Sequence, residues 1–289
     1  RNHSSAASDV YKRQSVDSGS STQSFSVDEI AEHDWPTAID FVLGKSSYEQ
    51  VHIVAHCVGS MSLLMGLLKR FVDKQKIRSL VSSQLTLHPV SNWLNNAKAD
   101  LDVINQLESI PLMNQMGNVV TMRAGKTGFD RMFDVMAFQV PKPEGEECTN
   151  STCHRVLSVY GPSYLHAQLN RATHVKLADW FGPIHLDAFR QITHIIRAGH
   201  VVDAEGKNTY LQDIPVVTSK SENTIEQLDL PITFMAGALN LEFLPQTSAR
   251  TFHWLCAHNP LSVDKYHRHV FADYGHMDCF IGKNASQDL

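Results

Sequence analysis

The stretch Val51-His52-Ile53-Val54-Ala55-His56-Cys57-Val58-Gly59-Ser60 constrains the fold of this chain more than any other. An apolar, β-branched run passes through small-x-Cys-x-Gly directly into the helical pattern Met61 to Phe71. That order describes a strand, a sharp turn and a helix that hold a nucleophile clear of a sheet, with Cys57 at the apex. The turn calls for small residues two before and two after the nucleophile, because strand and helix pack closely there. Ala55 and Gly59 occupy those positions. A buried cysteine acting as a small apolar residue is the competing reading, but such a turn aims the side chain out of the sheet.

At 289 residues and 43% apolar content the chain can build a substantial core. A net charge of -5 leaves no basic footprint, so nucleic acid is not an expected partner. No run approaches the roughly 20 apolar residues of a membrane span, and no signal peptide is visible. The five cysteines, at 57, 148, 153, 256 and 279, form neither a disulfide framework nor paired C-x-x-C knuckles, which points to a reducing, cytoplasmic setting. Most of the sixteen histidines, such as His33, His154, His174 and His258, lie scattered without metal-ligand spacing. His267 and His269 alternate along one expected strand, and no metal site is expected.

Residues 1–24 are Ser-rich and read as a disordered leader. Within it, the run Asp9 to Gln14 resembles translated adapter sequence, so residues 1–14 are expected to be non-native. Residues 25–90 carry an amphipathic helix (Ile30, Trp35, Ala38, Ile39, Val42), the Cys57 unit and a β-rich run from Ile77 to Pro89. These form a βαβ unit with parallel strands. Residues 91–225 read as a mostly helical cap, with helices over Leu101–Leu112 and Leu165–Trp180 and a turn around Asp203 and Gly206. Residues 226–289 return to strand and helix: Leu230–Gly237, Gln246–His258 and Tyr266–Phe271, then the loop Ala272 to Asp278. The whole predicts an α/β, mostly parallel sheet interrupted by a cap, the α/β-hydrolase arrangement.

In such a fold nucleophile, acid and histidine follow one another along the chain, each after a successive strand. Cys57, then Asn240 and Glu242, then His276 repeat that order. His276 would take the thiol proton and return it to the leaving group. The acid position is irregular: Gly237-Ala238-Leu239-Asn240 places an amide where a carboxylate is usual, and Glu242 is the alternative. An amide orients an imidazole but does not neutralise its charge, which a thiol nucleophile tolerates. The Val58 backbone N–H supplies one oxyanion donor. The second belongs to a loop after an earlier strand, so either the hole is incomplete or the early strands are missing from this sequence.

The segments Asp28-Glu29-Ile30-Ala31, Asp34-Trp35-Pro36, Val54 to Met61, Leu87-His88-Pro89, Tyr274-Gly275-His276-Met277-Asp278-Cys279 and Gly282-Lys283-Asn284-Ala285 resemble one known group. It is the α/β-hydrolase domain fused behind glucose-methanol-choline (GMC) oxidoreductase domains in cholesterol oxidase-like proteins, and the resemblance spans residues 25 to 289. It implies Cys57 as nucleophile, His276 as base, Asn240 to Pro245 as the acid loop, and an amino-terminal truncation. Asp278 is expected to support the His276 loop. No Gly-x-Gly-x-x-Gly opens a βαβ unit, so no cofactor is expected in this chain; FAD would belong to a preceding flavoprotein domain.

The sequence therefore predicts an ester or thioester hydrolase acting on a small acyl or lipid-like, even sterol-like, substrate. Trp93, Met113, Met116, Met132, Phe133, Met136 and Phe138 would line an apolar pocket under the cap. The alternatives are a catalytically inactive binding or scaffold domain, which Asn240 favours, and a lactone hydrolase resembling dienelactone hydrolases.

Overall fold

A computed structural model of the chain describes residues 25–109, 119–123, 125, 127–182, 184–216 and 221–288. The expected leader and Met113 and Met116 lie outside the described residues, as does the end of the helix expected to reach Leu112.

A helical turn at Val27–Glu29, closed by a Ser26/Glu29 capping box, runs through a π turn at Ile30–Asp34 into α1 (Trp35–Gly44). β1 (Val51–His56) alternates buried Ile53 and Ala55 with exposed His52 and Val54, the period of a strand covered on one face. α2 (Val58–Leu68) is buried from Ser60 to Leu67, so it is apolar nearly all round. Trp35 Nε1 donates to Ser62 Oγ at 3.0 Å, and a Cβ at Gly66 would come within 2.8 Å of the Ala31 carbonyl oxygen. The amino-terminal helices are thereby packed hard against α2.

β2 (Ile77–Ser83) pairs with β1, and the cap follows. It comprises α3 (Trp93–Asp100), α4 (Val103–Glu108), β3 (Val119–Val120), α5 (Gly128–Phe138), α6 (Ser151–Val159), α7 (Arg171–Trp180), β4 (Ile184–His185) and α8 (Leu186–Ala198). Side chains of Asn92, Thr127, Asn150 and Asn170 cap α3, α5, α6 and α7, and Gly199, left-handed at φ 69°, ends α8. The helix expected over Leu165–Trp180 is broken: a 3₁₀ turn at His166–Gln168 precedes α7, because Asn170 is extended and caps a fresh start.

β5 (Ile232–Gly237), α9 (Gln246–His258), β6 (Tyr266–Phe271), α10 (Asp278–Ile281) and α11 (Ala285–Asp288) follow. The sheet order is β1-β2-β5-β6 with every pairing parallel, while β3 and β4 form a separate antiparallel pair. His56 stands opposite Ser83, Ser83 opposite Met235, and Gly237 opposite Phe271. All four carboxyl ends therefore share one edge, and the loops after them converge there. A Cβ at Gly237 would overlap the carbonyl oxygens of Tyr274 and Gly275, so glycine is what lets the end of β5 touch the loop after β6. Among the described residues no helix is long and apolar enough to cross a membrane.

Candidate active site at the carboxyl edge of the sheet

Cys57 sits at φ 53°, ψ -129°, between β1 and α2. A non-glycine residue there stores strain of order 1–3 kcal/mol. The turn is held by Cys57 N–H donating to the Ser83 carbonyl at 3.0 Å and by Met61 N–H donating to the Cys57 carbonyl at 3.1 Å. The thiol is half-buried, and the Val58 backbone N–H, the expected oxyanion donor, pulls its pKa down against burial. Beyond its own helical turn, a Cβ at Gly59 would meet only Trp35, at 3.7 Å, so the expected crowding is absent at that position and alanine would fit.

Asn240 and His276 meet in a network whose polarity is fixed by the backbone. Asn240 Oδ1 accepts the N–H groups of Glu242 and Phe243 at 3.0 and 3.2 Å. Its Nδ2 therefore faces His276 Nδ1 at 3.1 Å and Gln84 Oε1 at 2.9 Å. Gln84 is oriented in turn, because its Oε1 accepts Gly237 N–H and its Nε2 donates to the Gly275 carbonyl. With Asn240 Nδ2 donating, His276 Nδ1 is an acceptor and the neutral ring carries its proton on Nε2. A hydrolase base has the opposite tautomer, with Nε2 open to the nucleophile's proton.

Glu242 stands on the other side of the ring. Its Oε1 lies 3.9 Å from Cys57 Sγ and 3.6 Å from His276 Nε2, and its Oε2 accepts from Ser163 Oγ. Burial raises the Glu242 carboxyl to about 7, against the opposing pull of Ser163, Lys98 and Cys57. Burial, then the Glu242 charge, pushes the Cys57 thiol well above its ordinary value. Burial, then the neighbouring His56 ring at 4.8 Å, holds His276 well below its ordinary value. The structure thus brings all of Cys57, Val58, Asn240, Glu242 and His276 together, with Asn240 on Nδ1 and Glu242 beside the thiol. Glu242 does not stand in for Asn240 behind the ring. Asp278 accepts Gly275 N–H at 2.8 Å, tying the His276 loop to the start of α10.

A parallel sheet, a strained Cys turn between its edge strand and a buried helix, a cap entering after β2, and two further loops at the same edge decide the architecture. The fold is that of the α/β-hydrolases. No family model matches the sequence, and no curated protein does. Several solved structures align weakly. An esterase from Thermogutta terrifontis is 11% identical, over 90% of this chain and 68% of its own, with a TM-score of 0.41. A meta-cleavage product hydrolase from Pseudomonas fluorescens is 12% identical over 89% and 67%, with a TM-score of 0.37. An epoxide hydrolase from Bacillus megaterium is 12% identical over 90% and 72%, with a TM-score of 0.37.

The apolar cap residues do not converge on Cys57 as a pocket lining. Trp93, Met132, Met136 and Phe138 are exposed, Phe138 stacks on His154, and Phe133 packs into the cap's own core around Val156 and Leu177. A groove of about 850 Å³ lies instead along the outer edge of β1, between Trp35, Tyr48, Ile53 and Val54. Gln84 and Ser163, which orient Asn240 and Glu242, carry no sequence signal: each is an ordinary polar residue on a loop.

Proposed function

We propose that this chain is an acyl hydrolase in which Cys57 attacks an ester or thioester carbonyl and Glu242 is the base. The observation that carries this reading is Glu242 Oε1 between Cys57 Sγ and His276 Nε2, in a carboxyl group tuned to about 7. As Sγ bonds to the carbonyl carbon, its proton passes to Glu242 and the oxygen becomes an oxyanion facing Val58 N–H. Collapse of that intermediate expels the alcohol or thiol, which takes the proton back from Glu242. Water, deprotonated by Glu242, then attacks the Cys57 thioester, and the acid leaves with the thiol restored. His276 contributes its Nε2–H as a hydrogen-bond donor to the developing charge and stays neutral throughout.

The resemblance to cholesterol oxidase-like fusion proteins supports a lipid- or sterol-like acyl group and a flavoprotein domain elsewhere in the full protein; no step above uses FAD. Thioester and ester hydrolysis by the whole chain, with mass spectrometry of Cys57, tests the proposal. Acylation of Cys57, turnover lost by about 10³-fold or more in Cys57→Ala and Glu242→Gln, and an acid limb of kcat/KM near pH 7 are expected. Turnover kept in Glu242→Gln and lost in His276→Gln would return the base role to His276. A second reading, an inactive binding domain, is favoured by the raised thiol and by Asn240 donating to Nδ1; binding of acyl compounds without Cys57 acylation would establish it.

A further inference from the structure

The cap gathers four metal-ligating side chains far apart in the sequence: Cys148, Cys153, His166 and His174, each offering a donor atom within 4.8 Å of the others. Cys148 precedes α6, Cys153 lies in its first turn, His166 opens the 3₁₀ turn and His174 lies in α7. His174 Nε2 is 3.0 Å from Cys153 Sγ and 3.4 Å from Cys148 Sγ. Around a tetrahedral zinc, with Zn–S near 2.3 Å and Zn–N near 2.0 Å, sulfur and nitrogen ligands stand about 3.5 Å apart. Those two sulfur–nitrogen distances lie within about half an ångström of that spacing, and all four donor atoms lie within 4.8 Å of one another.

The surroundings are those of a metal centre. His166 Nδ1 is taken by the Glu146 carboxylate at 2.5 Å, while its Nε2 is buried and has no hydrogen-bond partner. A carboxylate on one ring nitrogen with the other left open is how proteins orient a metal-binding imidazole. The Asn150 backbone N–H points at Cys148 Sγ from 3.3 Å, as backbone amides do toward thiolate ligands. Two thiolates and two neutral imidazoles also balance the charge of a divalent cation in a half-buried site.

We propose that Cys148, Cys153, His166 and His174 bind one structural zinc ion. Four protein ligands leave no open position, so the ion fastens the cap rather than reacting. It ties together a stretch that includes Ser163, whose hydroxyl donates to Glu242 and whose carbonyl accepts Met277 N–H at 2.7 Å, next to His276. Zinc thus locks the cap segment that touches both the acid and the histidine loops.

The test is the zinc content of the full chain purified without chelator, and it needs no substrate. One zinc per chain is expected, lost in Cys153→Ser and His174→Gln and kept in Cys57→Ala and Cys256→Ser. Should the ligand variants misfold, cobalt added to chelator-stripped wild-type protein decides, since a tetrahedral S₂N₂ site gives intense visible absorption with thiolate charge transfer. Zinc removal is expected to lower Tm by about 5 °C or more. Absence of both zinc and the cobalt spectrum, a Cys148–Cys153 disulfide, or metal lost with Cys57→Ala but kept in Cys153→Ser would overturn the proposal.

Discussion

Phe234, in β5 of the sheet, and Arg155, in the cap, are both almost fully buried, and their surroundings share nothing. Phe234 packs among Leu80, Leu85, Leu255 and other apolar residues of the main core, with Phe252 edge-on at 6.2 Å. Arg155 pairs with Asp134 at 2.6 Å and Asp130 at 3.3 Å, donates to the carbonyls of Thr121, Arg123 and Asp130, and lies over the Phe133 ring. The sheet region is held by apolar area, which is non-directional and accumulates residue by residue. The cap, with its small core around Val156, Tyr164 and Leu177, depends on directional polar nodes that fail all at once. A site formed where such regions meet inherits rigidity from one and adjustability from the other.

Cutting each node separates the two. Phe234→Ala is expected to cost about 3–5 kcal/mol of global stability, read from denaturant melts. Arg155→Ala costs a similar 3–5 kcal/mol locally by stranding two carboxylates, so hydrogen exchange accelerates in α5 and α6 while β1, β2 and β5 keep their protection. Uniform acceleration would show that cap and sheet unfold as one unit.

The next effect tests the seam. Glu242 is raised from 4.5 to about 7 in the folded chain, so its burial favours the protonated form: the associated stability is complete below pH 4.5 and lost as pH rises through 7. Glu242→Gln is therefore expected to gain up to about 3 kcal/mol at pH 8 and nothing at pH 4, measured by melts at both values. An equal effect at both pH values would remove the charge argument. The smallest effect concerns the Cys57 turn. Gly59→Ala is expected to be neutral or to stabilise α2 by about 0.4–1 kcal/mol, whereas Gly237→Ala, forced against two carbonyls, destabilises by more than that.

β1, α9 and β6 were legible because each has an unbroken period bounded by clear stops, and the chain order Cys57, Asn240, His276 follows from the strands alone. The placement of Glu242 was not legible. Which of two residues on one loop meets Nδ1 depends on Asn240 Oδ1 accepting two backbone amides, a turn that spacing does not encode. The Cys/His cluster was hidden by a helix boundary. In one continuous helix His166 and His174 would stand about 12 Å apart; the break before Asn170 brings their rings to 5.2 Å. The spacing C-x4-C-x12-H-x7-H carries a cysteine pair at ligand spacing, but its histidines are wider apart than zinc motifs place them.

Nitrogen-15 NMR of His276 decides which group is the base, because the roles of Asn240 and Glu242 both rest on where that ring holds its proton. A neutral ring protonated on Nε2, persisting to pH values well below the ordinary histidine range, is the predicted result. A proton on Nδ1, or an imidazolium near neutrality, would contradict it and make His276 the base.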